Sequence, residues 1–308
     1  MKISIAIHGG AGTLVKGMMT PAKEKEYKAD LERARDAGYE ALEKGKSAID
    51  AVEIAVETLE NSPLFNAGKG SVFTADETHE MDASIMDGKS LEAGAVSLIS
   101  GIRNPVKLAR AVMDKSEHVF LAGVGAMDFA IEQGFDIAEQ DYFYDEFRHN
   151  QWLELKDTDN FQLDHSAKKD SKFGTVGAVA CDSEGNIAAA TSTGGMTNKR
   201  YGRVGDSPMI GAGNYANNET CAVSCTGSGE FFIRGVVAYD VSCLIEHKGL
   251  SLQAACDEVI MRRILKIGGD GGLIAVNSKG DIAMTFNTEG MYRACRDSEG
   301  NSELSIYK

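Results

Sequence analysis

The feature that most constrains how this chain can fold is a break in its texture. From Glu139 to Lys172 the sequence is mostly polar and charged and keeps no sustained period; Lys156-Asp-Thr-Asp-Asn160 and Ala167-Lys-Lys-Asp-Ser171 are its most loop-like parts. A polar segment of that length inside a compact protein marks a linker or a processing site. It ends abruptly at Phe173-Gly174-Thr175. On both sides of it, strand-like stretches are followed by helix-like ones. That pattern implies helices covering both faces of stacked sheets.

Before the break, Lys2 to Ile7 reads as a strand running into His8-Gly9-Gly10-Ala11-Gly12-Thr13. Strand-then-glycine resembles a phosphate loop, but the lysine and hydroxyl that end such a loop are missing. The alternative is a turn whose glycines admit a ligand or another backbone. His8 reads as a satisfied structural histidine rather than a base. Pro21 to Lys44 has helical spacing, and Ser47 is the expected N-cap of a helix over Ala48 to Glu60 with Ile49, Val52, Ala55, Val56 and Leu59 on one face. Asn61 to Gly70 is rich in turn residues and leaves carbonyls to be satisfied; a bound monovalent cation is one way. Val72–Asp76, His79–Asp87 and Glu92–Ser100 are strand candidates. A helix is expected from Asn104-Pro105 to Met113, a strand over His118 to Gly125 and a helix over Ala126 to Gln133.

After the break, Thr175 to Cys181 and Ile187 to Thr193 read as a hairpin around Asp182–Asn186. A strand over Cys221 to Cys225 precedes helices over Phe231–His247 and Leu252–Leu265. Leu273–Val276 and Asp281–Phe286 form a closing hairpin.

Composition removes several function classes. A formal net charge of -14 repels phosphate backbones and argues against nucleic-acid partners. No apolar run reaches the length of a membrane span. The N-terminus reads as a strand rather than a signal peptide, which predicts a cytoplasmic protein. The six cysteines form no CxxC pair and several sit in apolar runs, so reduced, buried thiols are expected rather than zinc ligands or disulfides.

Thr175 is either a β-branched strand starter or a nucleophile. As a nucleophile it needs a base, and neither a GxSxG elbow nor a distinctive histidine is present. A threonine that begins a chain can use its own α-amine, whose pKa near 8 suits base work. That requires cutting the Gly174–Thr175 bond, and Gly174 permits the strained geometry of such a cut. Thr191-Ser192-Thr193 and Thr226 add hydroxyls beside glycine turns. Arg203 and Asp206 are either a weak surface ion pair or a clamp for the α-carboxylate and α-ammonium of an amino acid.

Together, HGGAG, PLFNAGKG, MDASIMDG, GTVGAVA, TSTGGMTNK, GRVGDSP, GAGNYA and CTGSGE resemble the isoaspartyl peptidase/plant-type (type III) L-asparaginase family of N-terminal-nucleophile hydrolases. The motifs run from His8 to Phe286. The resemblance implies an α+β fold, a four-layer αββα sandwich over residues 1–308, cut into an α subunit (1–174, with 139–174 a flexible linker) and a β subunit (175–308). It implies Thr175 as nucleophile for self-cleavage and for amide hydrolysis, and Thr193 bonded to its hydroxyl. Thr226, Gly227 and Asn66 would surround the side-chain amide and its oxyanion. Arg203 and Asp206 would hold the α-groups. Backbone carbonyls of the Leu59–Lys69 loop (Leu59, Glu60, Ser62, Phe65, Ala67 and Lys69) would hold a structural sodium ion, with no catalytic cofactor. The substrate would be a small molecule or dipeptide, and the processed halves would associate as (αβ)₂.

Two other readings compete. Glycosylasparaginases share the nucleophile, but they characteristically carry Asp-Thr at the junction where this chain has Gly-Thr. A nucleotide-binding module would need the absent P-loop lysine.

Overall fold

The computed structural model describes residues 2–156 and 174–308. The first strand, β1 (Ser4–Gly12), is buried throughout and carries the glycine cluster within it, so HGGAG is strand rather than phosphate loop. Its pairing shifts register between His8 and Ala11, which bends the strand at the glycines. Helices α1 (Pro21–Glu43) and α2 (Ala48–Glu60) follow, capped as their sequences demand: Thr20 accepts from Lys23 N and Ser47 from Asp50 N. Strands β2 (Met81–Asp87) and β3 (Ala93–Ile99) lead to α3 (Pro105–Lys115), the short β4 (Phe120–Ala122) and α4 (Gly123–Glu132). Val72–Asp76 is not a strand; a single bridge from Thr74 to Lys199 ties it down.

The polar segment departs from the linker expectation in its first part. Gln140–Tyr142 forms a 3₁₀ turn and α5 (Glu146–Leu153) a helix. The reason is buried aromatic area: Phe143 and Trp152 are inside, with Trp152 stacked on His149 and tilted against Phe73. The rest of the expected linker, 157–173, lies outside the described residues.

Strands β5 (Val176–Cys181) and β6 (Ile187–Thr193) form the expected hairpin, followed by β7 (Asn214–Ala216) and β8 (Ala222–Gly227). The single helix expected over Phe231–His247 is two, α6 (Gly229–Gly235) and α7 (Val237–Lys248), because Val236 is left-handed at φ 48°. There the amides of Ala238 and Tyr239 turn outward to the carbonyls of Ala212 and Gly211. Helix α8 (Leu252–Glu258) runs into a π-helical turn, Val259–Ile264. The hairpin β9 (Gly271–Val276) and β10 (Ile282–Phe286) does not close the chain: β11 (Gly290–Asp297) and β12 (Ser302–Tyr307) follow.

Mixed helices and sheets make this an α+β arrangement. The larger sheet has eight strands in the order β12-β11-β1-β5-β6-β2-β3-β4, and the smaller has four, β10-β9-β8-β7. One apolar cluster joins α1, α2 and α3 to the large sheet, through residues such as Leu31, Val52, Val112, Ile5 and Ile85. A second joins α7 and α8 to the small sheet through Val241, Cys256, Val223 and Leu273. A third holds Ala6, Val179, Ala189, Ala222 and Ile274, residues of both sheets. All six cysteines are free, and four of them are buried.

Trp152 is 7% exposed. Trp152→Ala should lower unfolding stability by about 3 kcal/mol, the usual loss for a truncated core aromatic. Urea unfolding followed by circular dichroism checks it; a change under about 0.5 kcal/mol, the usual surface effect, would mean that α5 is not part of the core.

Candidate active site

Thr175 sits at the start of β5 and is 6% exposed. Its carbonyl accepts from His8 Nδ1 at 3.0 Å. Because a carbonyl can only accept, Nδ1 carries the proton, and Nε2 accepts from Ser224 Oγ at 2.9 Å. Ser224 in turn accepts from Thr191 at 2.8 Å, and Asn214 Nδ2 donates to Thr191 at 3.2 Å. Burial drops the His8 pKa to about 3, so the ring is neutral. His8 is thus the satisfied structural histidine its sequence context suggested, and it has no free lone pair for base work. Gly177 makes this possible, because a Cβ there would collide with Ser224 Oγ and lie 2.5 Å from His8 Nε2.

Gly174 is at φ 100°, a region that side chains avoid, and a Cβ on it would lie 2.7 Å from Gly10 Cα. The bend of β1 therefore exists to let Gly10 pass beside the Gly174–Thr175 bond. Thr193 Oγ1 donates to the Gly174 carbonyl at 3.4 Å and accepts from Gly195 N at 3.0 Å. Thr226 lies on the same side: its Oγ1 would be 3.4 Å from a Cβ on Gly174. That hydroxyl is buried and has no hydrogen-bond partner among the described residues. An orphaned buried hydroxyl costs about 1–3 kcal/mol, which a ligand's polar group placed beside it would offset. Gly227 follows it at the end of β8, facing Gly271.

Thr193 and Thr226 thus lie at the residue that precedes Thr175, and Gly227 follows Thr226 in the chain. Asn66 lies beside them, its carbonyl accepting from Gly194 N at 3.0 Å just after Thr193. Its Nδ2 donates to Gly195 O at 2.7 Å and its Oδ1 accepts from Val72 N at 3.1 Å, so it braces the Gly194–Gly195 turn. Ser207 is a neighbour that sequence reasoning passed over: its Oγ is 3.2 Å from Thr175 Oγ1. It lies one residue after Asp206, inside GRVGDSP, and position in that motif was the available signal.

Arg203 and Asp206 meet at Gly229, where a Cβ would lie 2.9 Å from Arg203 Nη2 and 2.9 Å from Asp206 Oδ1. This is not a surface pair. Asp206 is 3% exposed, its Oδ2 has no partner among the described residues, and burial raises its pKa to about 7 against the pull of Arg203. Sequence reading also missed Glu230, whose Oε1 takes Arg203 Nε and Nη2, both at 2.8 Å. The remaining carboxylate oxygen, Glu230 Oε2, is buried without a partner.

The Asn61–Gly70 loop offers oxygen donors suited to a hard monovalent cation. Carbonyls of Pro63 and Phe65 crowd Gly70, and the Glu60 carbonyl crowds Gly68. Part of the implied set is already used: Leu59 O, Phe65 O and Ala67 O accept amides of Ser62, Ala67 and Gly70. A carbonyl keeps a second lone pair, so the set still fits. Glu60 Oε2 is buried without a partner while Oε1 accepts Val106 N; burial raises this carboxyl to about 8. Among the described residues no cluster of three His, Cys, Asp or Glu could hold a metal ion.

The sequence that builds this site has known relatives. Residues 1–306 match the family model described as asparaginase. The chain belongs to the asparaginase family. It is 50% identical over 310 residues to a protein named isoaspartyl peptidase from Escherichia coli (strain K12), covering 100% of this chain and 97% of that one. A putative isoaspartyl peptidase/L-asparaginase of Dictyostelium discoideum is 44% identical over 345 residues, with 100% and 99% covered. A plant-type L-asparaginase of Pyrococcus abyssi is 44% identical over 321 residues, with 99% and 100% covered. Membership of the asparaginase family agrees with the resemblance read from the motifs.

The raised Asp206 pKa has a stability consequence. The folded carboxyl holds its proton up to about pH 7 and the unfolded one releases it near 3.8, so this group's contribution to stability falls as pH rises between those values. The stability of the wild type relative to Asp206→Asn should therefore be higher at pH 5 than at pH 8, by on the order of 2 kcal/mol. Urea unfolding of both proteins at the two pH values reads this difference; equal differences would mean an ordinary carboxylate.

Proposed function

We propose that the protein is an autoprocessing amidohydrolase that cleaves the β-aspartyl amide bond of isoaspartyl dipeptides and L-asparagine and releases L-aspartate. One observation carries the reading: the Thr175 hydroxyl meets Ser207 Oγ, the Thr193 and Thr226 hydroxyls lie at Gly174 just before it, and no side-chain base among the described residues bonds it. His8 is neutral and bonded at both ring nitrogens. The base that fits is the α-amine that Thr175 acquires when the Gly174–Thr175 bond is cut. The names of the full-length relatives support the substrate class.

In the first step Thr175 Oγ attacks the Gly174 carbonyl, whose oxygen already faces Thr193 Oγ1. The peptide becomes an ester, and water hydrolyses it to leave a free Thr175 amine and a Gly174 carboxylate. In turnover the same hydroxyl attacks the substrate β-carbonyl and the α-amine takes its proton. Thr226 Oγ1, unpartnered until then, donates to the developing oxyanion, with Gly227 beside it. The amine returns the proton to the departing ammonia or amino acid. Water then hydrolyses the β-aspartyl ester. Arg203 holds the α-carboxylate in competition with Glu230, and Asp206 holds the α-ammonium.

The same reading includes several further parts. The three apolar clusters support a four-layer αββα sandwich of the N-terminal-nucleophile type. Processing divides it into 1–174 and 175–308, which assemble as (αβ)₂ on the strength of the family resemblance. Carbonyls of the Leu59–Lys69 loop would hold a structural sodium ion, which supplies positive charge to those oxygens and takes no part in catalysis. No helix among the described residues is long and apolar enough to cross a membrane. A cytoplasmic enzyme is the proposed setting.

On a denaturing gel the purified protein should resolve into bands of about 19 and about 14 kDa, by share of the 32.9 kDa chain. Thr175→Ala should give one uncut band and no aspartate release; activity in that variant ends the reading. Arg203→Lys should raise KM about tenfold with kcat little changed, because a point charge replaces a two-pronged donor. Aspartate release against dipeptide concentration measures it.

A further inference from the structure

Thr226 and Gly227 end β8 and rest on the first residues of β9. Thr226 pairs with Gly272, and Gly227 with Gly271. The second pair has no side chain on either strand, and the two backbones approach closely. A Cβ on Gly227 would lie 2.7 Å from Gly271 Cα and collide with Asp270 O. A Cβ on Gly271 would lie 2.7 Å from Gly227 Cα and collide with Thr226 O. Both glycines have a positive φ, 151° and 145°, that other residues rarely adopt. Ser228 keeps to the same neighbours: its N donates to Asp270 O at 3.0 Å and its Oγ to Asp270 Oδ1. The Thr226 hydroxyl is wholly buried and has no hydrogen-bond partner among the described residues. Its position therefore follows from its backbone, and that backbone lies against residues 270–272.

Asn287, just after β10, holds Gly271 from the other side. Its N–H donates to Gly271 O at 2.9 Å, and its Oδ1 accepts from Gly271 N at 2.8 Å. Both backbone polar groups of Gly271 are thus turned to one residue. In an antiparallel ladder a residue bonded on one side faces its other neighbour across the unbonded, closer kind of pair. That is the pair Gly271 makes with Gly227. Because an amide nitrogen only donates, Oδ1 and not Nδ2 must face Gly271. Nδ2 then reaches Ile260 O at 3.0 Å and Gly269 O at 3.4 Å. Ile260 lies in the π-helical turn Val259–Ile264, a form of backbone that recurs at functional sites. The Asn287 side chain therefore ties that turn to the start of β9, one cross-strand pair away from Thr226.

We propose that Asn287 is a positioning residue for amide hydrolysis: by clamping Gly271 it sets where the Thr226 hydroxyl and Gly227 meet the reacting carbonyl. Asn287 makes no hydrogen bond to Thr226 or Thr175 and acts through the Gly271–Gly227 contact. The proposal rests on the reading of Thr226 as the donor to the oxyanion. A hydroxyl that stabilises charge only as it develops works by its placement, so a small shift of its backbone lowers turnover and leaves ground-state binding nearly intact.

The test uses the full chain as wild type, Asn287→Ala, Thr226→Ala and the double variant Asn287→Ala/Thr226→Ala, with rates of β-aspartyl dipeptide hydrolysis taken per processed chain. Asn287→Ala should lower kcat about tenfold while KM stays within about threefold. Thr226→Ala should lower kcat about a hundredfold, the usual loss for one oxyanion donor. The double variant should lie within about threefold of Thr226→Ala alone, because the group that Asn287 places is already gone. A loss through poor folding would instead multiply with the Thr226→Ala effect. Unchanged kcat in Asn287→Ala beside a lowered kcat in Thr226→Ala overturns the proposal and leaves the hydrolytic reading standing. Single effects that multiply, or a rise in KM at constant kcat, overturn it too. Unchanged kcat in Thr226→Ala rejects Thr226 as the oxyanion donor, and the proposal with it. If Asn287→Ala fails to fold, the near-isosteric Asn287→Asp, which keeps the acceptor for Gly271 N and loses the donor to Ile260 O, takes its place in the same cycle. It should lower kcat by a smaller factor that again vanishes in the Thr226→Ala background.

Discussion

A single neutral imidazole holds the centre of this molecule. His8 donates to the Thr175 carbonyl on one side and accepts from Ser224 on the other, so it ties β1 and β5 of the large sheet to β8 of the small one. The bonds continue through Thr191 to Asn214. Burial keeps the ring uncharged, and an uncharged ring is what this string of donors and acceptors requires. A protonated ring would put two donors in the line and leave Ser224 facing one of them. Glycine at 177 is the steric condition for the contact, and glycine at 10 is the condition for the neighbouring approach to Gly174. Thr175 is therefore located by what lies behind its backbone, while its hydroxyl faces Ser207.

In front of that backbone the polar groups are deliberately incomplete. Thr226 Oγ1, Asp206 Oδ2 and Glu230 Oε2 are buried without partners among the described residues. Each orphan is destabilising, and a fold selected for stability alone would have paired them. These three lie near Gly174 and Arg203, where polar groups of a bound molecule would satisfy them. By contrast the Asn66 carboxamide has a partner at each end, Gly195 O on Nδ2 and Val72 N on Oδ1, and braces the Gly194–Gly195 turn.

Much of this was legible without coordinates. Cap residues and 3.6-residue spacing specified α1, α2 and α3 almost to the residue, because local bonds decide helix ends. The β5–β6 hairpin was equally local. Thr175, Thr193, Thr226, Arg203 and Asp206 were legible as hydroxyls and charges beside glycine turns. Other features were not. The α6–α7 break arises where amides of Ala238 and Tyr239 find carbonyls in a distant loop, and nothing in the local apolar pattern reports it. The strands β11 and β12 are partly polar; β11 is a strand because β1 lies beside it. Helix α5 is polar by composition and is ordered by two buried aromatic residues.

The sequence by itself determined which groups this protein has available: a threonine after a glycine, hydroxyls at strand ends, a guanidinium and a carboxylate three residues apart, and membership of a family through the order of those motifs. It determined them because side-chain chemistry and short-range backbone preference are properties of the chain. Tertiary structure alone decided which groups are paired and which are left open. Glu230 reaches Arg203, Ser207 reaches the Thr175 hydroxyl and Asp82 lies opposite Thr193 only because segments far apart in sequence lie side by side. Burial, which raises Asp206 and silences His8, is likewise a property of the folded surroundings and of no residue taken singly.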